Sequence, residues 1–91
     1  MKLRWTSRAL SDLVRLHEFL ASVNPEASAK VVQALTGGAG RLVERPRIGE
    51  RLDPYLPRDV RRLLIARYEL RYELQEQEIY VLRIWHTREN R

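Results

Sequence analysis

The chain has 91 residues, 44% of them hydrophobic and 32% charged, with 4 Gly and 4 Pro, a composition that excludes disordered and fibrous classes and predicts one domain, residues 1–91, around a modest core. Cysteine is absent, which excludes disulfides, thiolate metal sites and a cysteine nucleophile and fits a reducing compartment. Lys and Arg number 17 against 12 Asp and Glu, a net charge of +5 that suits an anionic partner (nucleic acid, an acidic protein or a membrane surface) or simply a solvated basic surface; with no 18-residue apolar stretch and no apolar leader, the expected location is the cytoplasm, with no membrane span.

Residues 2–5 alternate polar with apolar and predict a short strand, after which Thr6 and Ser7 offer hydroxyl caps. Over residues 8–22, Ala9, Leu13, Leu16 and Leu20 recur at spacings of four, three and four, and Leu10, Val14 and His17 widen the stripe, so a helix with one buried face is predicted. His17 has no second ligand at helical spacing and reads as a surface or half-buried side chain. Asn24, Pro25 and Glu26 are a cap, a first helical residue and a first-turn acid, and they start a second helix. Val31, Val32, Leu35, Ala39, Leu42 and Val43 carry it to Arg45, and Pro46 ends it. The two helices form an antiparallel hairpin. Gly37, Gly38 and Gly40 oppose the second helix by roughly 2 to 3 kcal/mol. Close approach to the sheet or the first helix is the preferred explanation, and a frayed or kinked helix is the alternative.

Residues 46–59 hold Pro46, Gly49, Pro54 and Pro57 and predict an ordered surface loop. From Val60 the pattern changes to period two. Tyr68, Leu70, Tyr72 and Leu74 alternate with Arg67, Glu69, Arg71 and Glu73, as in a half-buried antiparallel strand. Residues 60–65 pair with it on one side; after a polar turn over 75–78, residues 79–86 return on the other. The expected fold is α+β: an N-terminal strand, a two-helix antiparallel hairpin and a three-stranded antiparallel C-terminal sheet. The first strand belongs either at an edge or beside residues 68–74.

No Gly-rich phosphate loop, no histidines at metal spacing and no serine in a nucleophile elbow are present, so neither metal nor cofactor is expected. The remaining candidates are Arg61, Arg62, Arg67, Arg71, Arg83 and Arg88, with His86 and Tyr72 near them in the sheet. Metal-independent RNA cleavage needs a base for the 2′-hydroxyl, an acid for the leaving oxygen and cations for the pentavalent phosphate. His86 with Arg61, Arg62 and Arg83 is the set that fits. Strict alternation, however, puts His86 with Tyr80, Leu82 and Ile84, and Arg83 on the other face with Val81 and Trp85. Glu69 and Glu73 share a face with Arg67 and Arg71, where they can pair with arginines of neighbouring strands. That ladder suits protein recognition or stability. Tyr68 and Tyr72 read as core.

Val60-Arg61-Arg62-Leu63, Tyr68-Glu69-Leu70-Arg71-Tyr72-Glu73-Leu74 and Val81-Leu82-Arg83-Ile84-Trp85-His86-Thr87-Arg88, with Asp12-Leu13 before them and Pro46 and Gly49 after the second helix, resemble the RelE/ParE toxin superfamily. The resemblance implies the toxin of a bacterial type II toxin-antitoxin module, in a hetero-oligomer with a cognate antitoxin. The antitoxin's acidic C-terminal segment would lay an amphipathic helix beside the hairpin. RelE-like members cut messenger RNA on the ribosome, whereas ParE-like members poison DNA gyrase. No lysine follows Lys30 and no tyrosine follows Tyr80, so the lysine pair and near-terminal tyrosine of many RelE-like nucleases are missing. The ending Trp85-His86-Thr87-Arg88 is more similar to ParE-like and plasmid-stabilisation members. A ParE-like reading makes Arg67, Arg71, Arg83, Trp85 and Arg88, with Leu13, Leu16 and Leu20, a surface for target or antitoxin. A RelE-like nuclease and a nontoxic antitoxin-binding relative stay open.

Overall fold

The structure is a computed structural model and describes residues 1–89. Strand β1 (Lys2–Trp5) leads into helices α1 (Ser7–Ala21) and α2 (Pro25–Gly40), followed by strands β2 (Glu50–Arg51), β3 (Asp59–Ile65), β4 (Tyr68–Gln75) and β5 (Glu78–His86). They form one five-stranded sheet in the order β1-β5-β4-β3-β2. β1 lies at an edge and runs parallel to β5; the other pairings are antiparallel.

Both helices begin where a side chain replaces a missing backbone acceptor. Thr6 Oγ1 accepts from Ala9 N–H at 3.1 Å and Asn24 Oδ1 from Ala27 N–H at 3.2 Å. Helix α2 stops at Gly40, short of the expected Arg45, and tightens into a 3-10 turn over Arg41–Val43. The glycines divide. A Cβ on Gly38 would stand 2.4 Å from Ile65 Cδ1, so α2 does approach β3 closely there. Gly37 and Gly40 face open space, and close approach explains neither.

The helices cover one face of the sheet. Ala9, Leu16, Leu35, Ala39 and Leu42 pack on Tyr68, Leu70, Tyr72, Ile79, Val81 and Ile84. Tyr72 spans this core and holds the entry to β2: its hydroxyl accepts from Gly49 N–H at 2.9 Å and donates to Pro46 O at 2.7 Å. Gly49 has to be glycine here, because a Cβ would meet Tyr72 Oη at 2.6 Å and Arg62 O at 2.7 Å. The expected loop therefore contains a strand, with Glu50 opposite Arg62 and Arg51 opposite Arg61. Beyond it a 3-10 turn, Asp53–Tyr55, and the residues after it fold back over the sheet face opposite the helices, where Arg58 clasps Glu73 through two bonds of 3.1 and 2.7 Å.

Strict alternation fails in β5. Arg71 pairs with Arg83 but Tyr72 pairs with Val81, so Leu82 is an extra residue in a bulge. Residues directly opposite in a ladder share a face. Val81, Ile84 and His86 thus lie on the helix-covered face with Tyr72, Leu70 and Tyr68, while Tyr80, Arg83 and Trp85 lie on the outer face with Glu73, Arg71 and Glu69. The sequence expectation is corrected at Tyr80 and Val81, which exchange faces, and at Leu82, which pairs with neither.

Candidate functional site

The outer face of β4 and β5 gathers aromatic rings and guanidinium groups. Trp85 is buried with the Arg71 guanidinium 4.8 Å and the Arg83 guanidinium 5.5 Å from its ring centre. Tyr55, carried in by the folded-back segment, lies 5.7 Å from Arg71 and accepts a 3.0 Å bond from it. Arg71 also donates at 2.6 Å to Glu69, which is buried. Arg62 approaches the same carboxylate at 3.9 Å and Glu50 at 3.3 Å. Glu69 therefore does meet an arginine of the neighbouring strand, but among the described residues the shorter contact is with Arg71, two residues away on its own strand. Glu73 is held by Arg58 rather than by a strand arginine, and that contact keeps its carboxyl below the usual carboxylate range despite burial.

Asp12 organises the edge of β5. Beyond Val81 that edge has no strand partner among the described residues, and side chains of α1 and its cap cover it: Thr6 Oγ1 donates to Val81 O and Leu82 O, and Asp12 Oδ2 accepts Ile84 N–H at 2.9 Å. Arg83 reaches round the edge to grip the same carboxylate with Nε at 2.7 Å and Nη2 at 3.1 Å. Burial pushes the Asp12 carboxyl up, and the bonds from Arg83, Ile84 and Arg15 outweigh it to leave the group below its ordinary value. Arg15 lies beside this pair and binds Glu89 at 2.5 Å.

The proposed catalytic set does not converge. Arg61 points to the helix-covered side, where Asp59 and the carbonyls of Arg47 and Gly49 take its N–H groups. Arg62 and Arg83 are on the outer face, each bound to a carboxylate. His86 is on the helix-covered face, edge-on to Tyr68 at 5.1 Å, with Nδ1 accepting Arg88 N–H at 3.1 Å. Among the described residues no three of His, Asp and Glu lie together in a metal-binding arrangement. Among the described residues no helix is long and apolar enough to cross a membrane.

Of the candidate binding residues, Arg71, Arg83 and Trp85 line one depression together with Arg15, Tyr55 and Glu89. Arg67 is exposed in the tight turn between β3 and β4, and Arg88 is exposed past the end of β5. Leu13 packs against the core, and Leu16, though buried in it, lines an apolar groove from within. Leu20 lines the same groove, with Phe19, Tyr68, His86 and Arg88. Residues 90–91, the end of the expected basic C-terminal surface, lie outside the described residues. Sequence reasoning missed Asp12, Tyr55 and Phe19 as site residues. Asp12 carried a signal: it is three residues after Ala9 and four before Leu16, an acid on the buried stripe.

A family model described as the ParE toxin of the type II toxin-antitoxin system parDE matches residues 3–91. A curated protein named Toxin RelE2 from Caulobacter vibrioides is 29% identical over 83 residues, covering 91% of each chain. A solved structure described as the chromosomal ParDE TA system from P. aeruginosa superposes with a TM-score of 0.80 at 26% identity, covering 94% of this chain and 95% of the other.

Proposed function

The chain belongs to the ParE toxin family of type II toxin-antitoxin systems, and from that premise we propose that it arrests growth in the cytoplasm by binding DNA gyrase and blocking supercoiling, without cutting RNA. One observation carries the choice. His86 and Arg83 are on opposite faces of β5, and Arg83 is already committed to Asp12. A metal-independent nuclease needs its proton carrier and its phosphate-binding cations on one reacting phosphate. A packed outer face of Trp85, Tyr55, Arg71 and Arg83 instead has the aromatic and arginine composition of a protein-binding hot spot.

Its partner within the module is an antitoxin, as the likeness to a ParDE system supports. We place the antitoxin's amphipathic segment in the groove of Phe19, Leu20, Tyr68 and His86, with acidic residues meeting Arg15 and Arg88. The competing ribosome-dependent nuclease draws on the same groove, where His86 lies near Arg15 and Arg88. A nontoxic relative is separated from both by growth arrest on expression that the neighbouring antitoxin gene relieves.

Purified protein titrated into a gyrase supercoiling reaction is expected to inhibit it or to accumulate cleaved DNA. Unchanged supercoiling at saturating protein ends the gyrase reading. Primer extension on translated messages after induction is expected to show no new ends; ends that vanish in His86→Ala establish the nuclease instead.

A further inference from the structure

The outer-face depression and the apolar groove share a wall. Tyr55, Arg71, Arg83 and Trp85 belong to the first and Phe19, Leu20, Tyr68, His86 and Arg88 to the second, yet Arg15 and Glu89 line both. Trp85 and His86 are consecutive in β5 and face opposite sides of the sheet, so a connection between the sites has to pass round the edge of that strand. Beyond Val81 the edge has no strand partner among the described residues, and Arg15 stands at it, with Nη2 3.4 Å from Ile84 O.

Arg15 and Glu89 are also bonded to each other. Arg15 Nη1 donates to Glu89 Oε1 at 2.5 Å and Nη2 to Glu89 Oε2 at 3.4 Å. The turn after β5 brings Glu89 there, with its N–H bonded to His86 O at 2.9 Å. Behind the pair a chain of charges runs into the depression: Arg15 Nη2 lies 3.4 Å from Asp12 Oδ1, Asp12 accepts from Arg83 at 2.7 Å, and the Arg83 guanidinium is 5.5 Å from the Trp85 ring centre. The members of this chain differ in freedom. Asp12 is buried and fixed by Arg83 and Ile84 N–H, whereas the Arg15 side chain is 46% exposed and that of Glu89 31%, so the outer pair exchanges partners without unpacking the core.

We propose that the Arg15–Glu89 pair is a switch between the two sites: an antitoxin carboxylate seated in the groove takes Arg15 from Glu89 and thereby closes the outer-face depression to an acidic contact of the target. The switch rests on the groove being the antitoxin site. Its sign follows from charge. The depression is lined by the guanidiniums of Arg15, Arg71 and Arg83 and by the carboxylate of Glu89. When Arg15 turns to the groove, the depression loses a cation and Glu89 loses its partner, and both changes oppose the entry of another anion. The antitoxin thus silences a surface it does not cover, and by linkage a target in the depression weakens the antitoxin by the same factor.

Trp5→Phe in the full chain leaves Trp85 as the sole tryptophan, a reporter inside the depression. The antitoxin's C-terminal peptide is titrated calorimetrically, and Trp85 emission is read at each point. Saturating peptide is expected to change that emission although Trp85 faces away from the groove, and the change is expected to vanish in Arg15→Gln. Glu89→Gln frees Arg15 and should tighten the peptide about fivefold or more, whereas Arg15→Gln should weaken it. In the double variant the gain from Glu89→Gln should fall below about twofold, because a long-range charge effect survives loss of Arg15 and a direct contest for Arg15 does not. Emission that is silent at saturation, emission that still changes in Arg15→Gln, or additive effects of the two substitutions overturn the switch. Peptide affinity unaltered by Phe19→Asp removes the antitoxin from the groove and the switch falls with it, whereas binding through Phe19 with silent Trp85 refutes the switch alone. Circular dichroism checks that each variant is folded, and no gyrase enters the measurement, so the target reading stands or falls separately.

Discussion

Asp12 and Arg83 are 71 positions apart in the chain, yet the Asp12 carboxylate takes two N–H groups of Arg83 and the backbone N–H of Ile84 at the same time. That one buried carboxylate therefore fastens α1 to the strand carrying Trp85 and His86. Asp12→Ala leaves an orphaned Ile84 N–H and an unpaired guanidinium, and the expected cost is about 3 kcal/mol, at the low end for a broken buried pair because Arg83 keeps some contact with water. Asp12→Asn still offers an acceptor and is expected to lose roughly half as much. Urea unfolding monitored by Trp fluorescence measures both; an Asp12→Ala protein as stable as the parent ends this account of the edge.

The same carboxylate gives the fold an acid limit. Asp12 is held low by bonds that outweigh burial, and Glu73 is held low chiefly by its bonds to Arg58. A group whose folded pKa is depressed contributes stability that is complete above its unfolded pKa and is lost as pH falls through the folded value. Stability is therefore expected to be level from neutral pH down to about pH 5 and to decline below about pH 4. Asp12→Asn should flatten the decline, leaving the share due to Glu73 and to Glu78, which bonds from Tyr80 and Arg4 also hold low. A parent and variant with parallel stability curves between about pH 5 and pH 2 contradict the assignment to Asp12.

Three glycines in one helix separate two effects that sequence alone merges. Gly37 faces open space, so Gly37→Ala should stabilise by about 0.5 to 1 kcal/mol through helix propensity and a less flexible unfolded chain. Gly38→Ala meets Ile65 Cδ1 at 2.4 Å and Cγ1 at 2.9 Å, and Ile65 is itself buried in the core. Overpacking of that kind costs about 1 to 3 kcal/mol and exceeds the propensity gain. The two melting temperatures should move in opposite directions, and a Gly38→Ala protein that melts higher than the parent contradicts the close approach.

Much of this architecture is legible in the sequence because each element announces itself locally. Thr6 and Asn24 cap their helices as read, and the alternation from Tyr68 to Leu74 places Tyr68 and Tyr72 in the core. What is not legible depends on tertiary geometry. The bulge at Leu82 inserts one residue, and a one-residue slip exchanges the faces of everything on one side of it. Tyr55 and Arg58 reach the outer face only because the segment after β2 folds back, and no periodicity encodes that path. Asp12 was readable as an acid on an apolar stripe, but its partners Arg83 and Ile84 are supplied by the far end of the chain.

The apolar groove makes the last prediction, which rests on the antitoxin placement proposed above. Phe19 is 69% exposed at the groove, whereas Leu16, three residues earlier, is 4% exposed and lines it from within the core. Both lie on the same helix, so a charge at each position tests surface against interior. Phe19→Asp puts a carboxylate in water and should leave the fold and gyrase inhibition intact while weakening antitoxin binding by about tenfold or more, as loss of an aromatic anchor does. Leu16→Asp buries an unpaired carboxylate at a cost of several kcal/mol and should abolish folding of a domain this small. Titration calorimetry with the antitoxin's C-terminal peptide and a thermal melt of each variant give the comparison. Parent-like peptide affinity in a folded Phe19→Asp protein moves the antitoxin to another surface, because a groove occupied by an apolar helix face does not tolerate a charge at its most exposed ring.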